Sequence, residues 1–568
     1  MTSSAVLPPV PRPSIVVANR VSPIVPIQNP MTSWAAVYLA LAAVNCIFQI
    51  AWFWRYTSHN INYDAVSYIG IARHILDGEF HTSLHGYWSP LVSWCIAAAS
   101  IFNHNLLLDA RIITVTSFLA CLPLIYLLCF RLWRSSTVAS FSVLCFSLAR
   151  GVVAFSVYFI GADFLLTAAI LGYFVLLLQC LREPTTANWL KLGAAHGLAF
   201  LGKAFAMPWL AFSTLLAAVF LYRGRPKRAT NAIAALIIPL LVWVGWGLLL
   251  NTKYGRFTAG YQSKWNLLNV ETRKSADKAG LSVLQDTSRS NDDYMVVDSM
   301  YPASPLWRAH IELRETIRQT LIKEAQNVPR AIKQVIVLAT PGGIFAIPLA
   351  LLYLHRHAMK EEAMWAWVAI GSTISLVLGY CMLVFDDRYV LPAVPLLIVL
   401  AARFLLPTES TSTHKFIRFA PAVMFAGAII FLALYWASPF RTIRRDYQTG
   451  VYEMSATLRK IPNCERLVAI GKGPSPERGV GWEIGIYASY FSQCRIVGFT
   501  DEIPSPEKAD STVTDIKKLH ANSILLLGDP SNSNYAALLK AIRDDSQFSA
   551  SNPLHDPVSG QIGLLLWK

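Results

Sequence analysis

Acidic side chains are scarce through the apolar part of this chain, so the few that occur are informative. The first acid is Asp64, just past an apolar stretch, and between residues 110 and 250 there are only Asp163 and Glu183. Asp163 stands in YFIGADFLLTAAIL at the start of an apolar run, Lys203 follows GAAHGLAFLG, and Asp386, Asp387 and Arg388 sit together between two apolar segments. Ionisable groups at the edge of a bilayer are costly when desolvated and are often functional. A carboxylate takes a proton from a hydroxyl, and cations hold a phosphate. Together they supply what group transfer from a membrane-bound phosphate donor requires. Each position also has a plainer reading. Asp64 and Asp163 each open a helical segment, where Asp is a common N-cap. Lys203 can be a snorkelling lysine, and Asp386-Asp387-Arg388 can be a solvated turn with a local ion pair.

These residues need a scaffold, and composition defines its class. Of 568 residues, 54% are hydrophobic and only 15% charged, against about 25% charged in soluble proteins. Mean hydropathy is +0.42. Disorder, a disulfide-rich secreted scaffold and an ordinary cytosolic enzyme are excluded, and a polytopic membrane protein is indicated. The net charge of +15 does not point to nucleic acid. Residues 438–568 carry 15 Lys+Arg against 14 Asp+Glu, so the excess lies among the apolar segments, where basic residues set topology. The nine cysteines form no CxxC or Cys/His ligand pattern, and His59, His74, His81 and His85 are irregularly spaced; no metal site is read from either set. Cys464 and Cys494 lie in the polar tail, where they can pair on an oxidising side of the membrane.

Stretches long enough to span a membrane are expected at about 34–54, 111–130, 137–157, 164–182, 190–204, 205–222, 231–251, 331–354, 363–384, 389–406 and 417–437. Residues 88–103 are short and begin near Pro90. If they are left out as a surface helix and the chain starts in the cytoplasm, the inner loops carry Arg131 and Arg134, Arg182 and Lys191, Arg223 to Arg228, Arg356 and Lys360, and Lys415 and Arg418. The positive-inside rule therefore favours eleven spans, N-terminus in and C-terminus out. The expected organisation is a disordered basic arm over 1–33, a membrane domain over 34–437 with outer loops 55–110 and 252–330, and a small outer α/β domain over 438–568. In the first loop, 64–78 has a loose apolar stripe of an amphipathic surface helix. Roughly 306–327 is a second amphipathic helix, ending before Pro329. In the tail, RLVAIG, CRIVGF, SILLLGD and IGLLLW read as buried strands alternating with helices, the pattern of a small α/β unit.

Residues 63–91 resemble the first-loop signature of GT-C-type membrane glycosyltransferases, the superfamily of protein O-mannosyltransferases and lipid A aminoarabinose transferases. Asp64, Tyr68, Ala72, Gly78 and Pro90 carry the likeness. GADFLLTAAILGYFVLL, GLAFLGK ending at Lys203, and the Arg388-Tyr389 segment with Pro392 and Pro395 resemble later motifs of the same group, in the same order. There are departures. Asp64 is followed by Ala65 where many members have a second acid. Trp88-Ser89-Pro90-Leu91 stands where many have Lys-Pro-Pro-Leu, which leaves Lys203, Arg388 or His85 to supply the charge.

The resemblance implies a polyprenyl-phosphate sugar donor and a glycan, lipid or protein acceptor at the outer face of a cytoplasmic membrane, with Asp64 as catalytic base. Asp163, Lys203, His85, Asp386, Asp387, Arg388 and Tyr389 are then substrate-binding. No nucleotide cofactor is needed by such donors and no other cofactor is fixed by these residues; a divalent ion bridging Asp386 or Asp387 to the phosphate is compatible with them, although no ligand spacing calls for it. Two other classes fit the composition, a secondary transporter and a non-catalytic assembly protein of cell-envelope glycan synthesis. A transporter predicts internal repeats and polar groups at midmembrane, whereas here the polar residues gather at one face.

Overall fold

The protein is described from a computed structural model covering residues 33–57, 61–149, 151–224, 230–260, 285–286, 313–339, 361–382, 385–405, 455–456, 459–460, 464–471, 481–500, 502–545, 548, 550–556 and 560–567. Helix α1 (Ser33–Tyr56) is followed by three first-loop helices, α2 (Tyr63–Leu76), α3 (Phe80–Ser83) and α4 (Pro90–Asn103). Then come α5 (Leu106–Trp133), α6 (Ser136–Leu148), α7 (Val152–Tyr158), α8 (Asp163–Arg182), α9 (Thr186–Gly202), α10 (Ala206–Gly224) and α11 (Ala234–Tyr254). Helices α12 (Leu313–Ala339), α13 (Glu361–Cys381) and α14 (Ala393–Leu405) follow among the described residues.

Among the described residues, five helices are long and apolar enough to cross a membrane: Trp34–Tyr56, Leu106–Trp133, Asp163–Arg182, Asn231–Tyr254 and Ala363–Cys381. The pair α6 and α7, bent by 56°, makes a sixth if it is one span. The expected count of eleven is not reached within this set. Helices α9 and α14 have only 17 and 13 residues, and 417–437 lies outside the described residues. The expected break before Pro329 is corrected too, because α12 runs unbroken through that proline.

The helices pack through close approaches that their small residues permit. A side chain at Gly193 on α9 would come within 2.6 Å of the Ala235 carbonyl on α11, and one at Gly197 within 3.2 Å of Val242. This glycine pair at i, i+4 lets two backbones meet, as small residues do between membrane helices. It fixes the seat of α9, whose end carries Lys203. Between the two glycines, the His196 ring donates to the Met207 carbonyl at 3.0 Å and ties the elbow between α9 and α10.

The tail forms a sheet of strands β2 (Arg466–Gly471), β3 (Arg495–Thr500), β4 (Ser523–Leu527), β5 (Ala550–Asp556) and β6 (Gly560–Trp567). A two-residue strand β1 (Gln285–Asp286), from the segment between α11 and α12, adds to one edge. The order is β1-β3-β2-β4-β6-β5, with β3, β2 and β4 parallel and the remaining pairings antiparallel. The four apolar runs in the tail are strands. The hairpin partner β5, ASNPLHD, was missed because it lacks an apolar run. Helices α15 (Gly481–Ser492), α16 (Ala509–Lys518) and α17 (Ser533–Asp544) cover the sheet. One face packs on α16 and α17 through Val468, Ile470, Ile524 and Leu526. The other packs on α15 through Leu467, Ala469, Ile496 and Leu525, in a cluster continuous with Ala65, Ile69 and Ala72 of α2.

That continuity corrects the expectation for α2. It is no exposed amphipathic helix, since residues 64 to 72 are all buried, because α15 covers the side that sequence alone leaves to solvent. Cys464 and Cys494 are disulfide-bonded, with Cα atoms 5.5 Å apart. Thiol titration of the unfolded, non-reduced chain is therefore expected to count seven of its nine cysteines; nine reactive thiols would exclude the bond.

Candidate functional site

Four chain segments meet in one place. The start of α2 brings Asp64, the start of α8 brings Asp163, the residue ending α9 is Lys203, and a 3₁₀ turn, Asp387–Val390, brings Arg388 and Tyr389. They line one pocket with Tyr63, Tyr68, Tyr87, Trp88, Ser89 and Ala162.

Arg388 is the hub. Its Nη1 donates to Asp64 Oδ2 and lies 3.7 Å from Asp163 Oδ2. Its Nε donates to Asp386 Oδ2 at 2.8 Å. The Lys203 ammonium donates to Asp163 Oδ1 at 2.7 Å. The guanidinium lies 4.4 Å from the Phe159 ring centroid, and Lys203 sits 4.4 Å over Tyr389. The Tyr389 ring in turn stacks on Tyr380 with centroids 4.6 Å apart. The side chains of Asp64 and Arg388 are 6% and 9% exposed, whereas Asp386 is 42% exposed at the rim. Burial works against the Arg388 charge, but Asp64, Asp163 and Asp386 outweigh it and raise its pKa well above the ordinary value. Burial also pushes the Asp64 carboxyl above the usual carboxylate range, with Arg388 opposing the shift.

The plainer readings fare unevenly. Asp64 is no N-cap: Asn62 holds that position and makes no side-chain cap bond. The Asp163 carboxylate is engaged by Lys203 and Arg388, and Lys203 meets a carboxylate instead of reaching for solvent. Asp386 does cap its turn, accepting from the Arg388 N–H at 3.3 Å. Asp387 turns outward to Arg330, 3.0 Å away. His85 is not among the pocket-lining residues; its Nδ1 accepts the N–H groups of Tyr87 and Trp88 at 3.0 and 3.1 Å, which shapes the turn carrying those two rings. Trp88 stacks edge-on with Tyr68 and Tyr87.

Sequence reading missed Tyr63, Tyr87, Phe159 and, above all, Asn62. The Asn62 amide grips the Ile160 backbone in both directions, donating to its carbonyl at 2.9 Å and accepting from its N–H at 3.0 Å. This clamp joins the start of α2 to the turn before α8, so it sets Asp64 beside Asp163. An Asn just before a helix reads as a cap, and nothing local reveals that its partner is 98 residues away.

No family model matches the chain, and no curated protein matches it. Among solved structures, it is similar to the archaeal oligosaccharyltransferase AglB from Archaeoglobus fulgidus, in complex with an inhibitory peptide and a dolichol-phosphate. The TM-score is 0.51 at 11% identity, over 94% of this chain and 74% of that one. It is also similar to ArnT from Cupriavidus metallidurans bound to undecaprenyl phosphate, with a TM-score of 0.50 at 13% identity, over 94% and 98% of the two chains. At such identities the likeness is one of fold. The chain carries the fold of GT-C-type membrane glycosyltransferases and is a multi-pass membrane protein.

Proposed function

We propose that the protein transfers a sugar from a polyprenyl-phosphate donor to an acceptor at the outer face of the cytoplasmic membrane, with inversion. The observation that carries this reading is the meeting of Asp64, Asp163, Lys203 and Arg388, from four distant segments, in one aromatic-walled pocket. AglB and ArnT, whose fold the chain shares, were solved with dolichol-phosphate and undecaprenyl phosphate, which supports a lipid-phosphate donor. In the proposed step the acceptor oxygen bonds to the anomeric carbon as the sugar–phosphate bond breaks, its electron pair leaving on the phosphate. Asp64 takes the acceptor proton, and Arg388 with Lys203 meets the charge that develops on the leaving group. Asp163 orients both cations, Tyr389 supports Lys203, and Asp386 holds Arg388 at the rim.

The chain is read with its N-terminus inside and its C-terminal α/β unit, 438–568, outside, on the charge asymmetry of the loops. A cysteine placed at Lys227 in a functional variant should resist labelling from outside; rapid labelling would reverse the topology. The reaction is tested by mass analysis of surface glycans and lipid-linked sugars in cells lacking the protein. One sugar should disappear from its acceptor while its polyprenyl-phosphate form accumulates. Unchanged glycans and lipid-linked pools would sink the reading.

The Asn62 clamp gives a separate test. Asn62→Ala frees the turn at Ile160 and lets Asp64 drift from its partners, and a small misplacement of a reacting group lowers rate steeply. We expect kcat to fall by about tenfold or more while acceptor KM changes little. An unaltered kcat would remove the clamp from the mechanism.

A further inference from the structure

The pocket at rest supplies its own counter-charges. Arg388 is shared by Asp64, Asp163 and Asp386, and Lys203 is held by Asp163. The pocket they line is narrow, with about 30 Å³ open to the centre of a water-sized sphere, enough to hold a water. Asp64 Oδ2, the oxygen that accepts from Arg388 Nη1, is also one of the two a general base would use. While the pair stands, the anion site and the base are both engaged by each other.

We propose that the Asp64–Arg388 pair is a latch opened by the donor's phosphate. A phosphate oxygen takes the place of Asp64 Oδ2 on Nη1, and the displaced carboxylate turns to the acceptor hydroxyl. The proposal rests on the transferase reading and adds an order of events: the donor enters first, and only its arrival creates the base. The exchange costs little, because a buried ion pair gains little beyond its own desolvation, and one anion replaces another on the same donor. The guanidinium need not move. Asp386 grips its Nε edge at 2.8 Å and Phe159 lies 4.4 Å from it, so the Nη1 edge changes partner on a fixed plane, and the forked group suits phosphate. An acceptor or water arriving before the donor meets a carboxylate already engaged, which suppresses wasteful proton transfer.

The test is equilibrium binding of farnesyl phosphate, with farnesol as the uncharged control, to the purified full-length protein. Asp64→Asn removes the competing charge and nearly keeps the shape. It is expected to bind farnesyl phosphate about tenfold tighter than the wild type, with farnesol unchanged, although the variant loses most of its sugar transfer. Unchanged or weaker farnesyl phosphate binding overturns the latch and leaves the transferase reading standing. An equal gain for farnesol also overturns it, since the effect would then owe nothing to the phosphate. Full transfer activity in Asp64→Asn also overturns the latch, since no base would then be released at that position, and leaves transfer itself standing with another carboxylate as base. If Asp64→Asn does not fold, Asp64→Ser decides by the same readout, because it too removes the charge that competes for Nη1 and leaves Asp386 on the Nε edge. Tighter farnesyl phosphate binding by that variant supports the latch, and no gain overturns it.

Discussion

Asp64→Asn is expected to insert and fold normally and to lose sugar transfer by about a hundredfold or more. The substitution preserves shape and a hydrogen-bond acceptor for Arg388 but abolishes the proton acceptor. Since Asp64 does not cap α2, the loss does not arise from fraying of that helix. A pH profile separates the base from a merely structural carboxylate. Burial raises the Asp64 carboxyl above its ordinary value of 3.8, so kcat/KM of the wild type should fall as pH drops through a value above that of a free aspartate. Above that limb Asp64 is ionised and transfer is full; below it Asp64 is protonated and transfer fades. The residual activity of Asp64→Asn should lack the limb. Near-normal transfer by this variant would remove Asp64 as base and move the search to Asp163 and Asp386.

Arg388→Ala is the second large effect. One well-placed donor to a developing anion is worth on the order of 3 kcal/mol, so kcat is expected to drop by about 10²-fold or more. Removing the guanidinium also leaves Asp64, Asp163 and Asp386 without their shared cation, and breaking a buried pair costs about 3–5 kcal/mol of stability. Arg388→Lys therefore accompanies it. Lysine keeps the charge but loses the fork that bonds Asp64 through Nη1 and Asp386 through Nε, and it should recover folding while recovering only part of the rate. If Arg388→Lys matches the wild type in kcat, the bidentate geometry is irrelevant and charge alone suffices.

The polar residues that matter were legible because the rest of the membrane half is so apolar. In such a background every acid stands out, and the wish of an ion to avoid hydrocarbon places it at a boundary. Asp64, Asp163, Lys203 and Arg388 were singled out on that ground, and the structure puts them in one pocket. His85 was drawn in only to replace a missing lysine, and its ring instead holds two backbone N–H groups. Asp387 was drawn in by adjacency, but neighbours in a tight turn point in different directions, and it faces Arg330 at the surface.

Sequence by itself determined the membrane class, the α/β character of the tail and the identity of the charged residues. These follow from composition and periodicity, which are local properties of the chain. Tertiary structure alone decided three things. It paired Asp64 with Arg388, 324 positions apart. It made Asn62 a clamp on Ile160 instead of a helix cap. It also buried α2 by laying α15 of the tail against it. A helix's apolar stripe tells which side seeks cover, and a side chain's donors tell what it can bond; neither names the distant segment that arrives, because that choice is made by how all the elements pack at once.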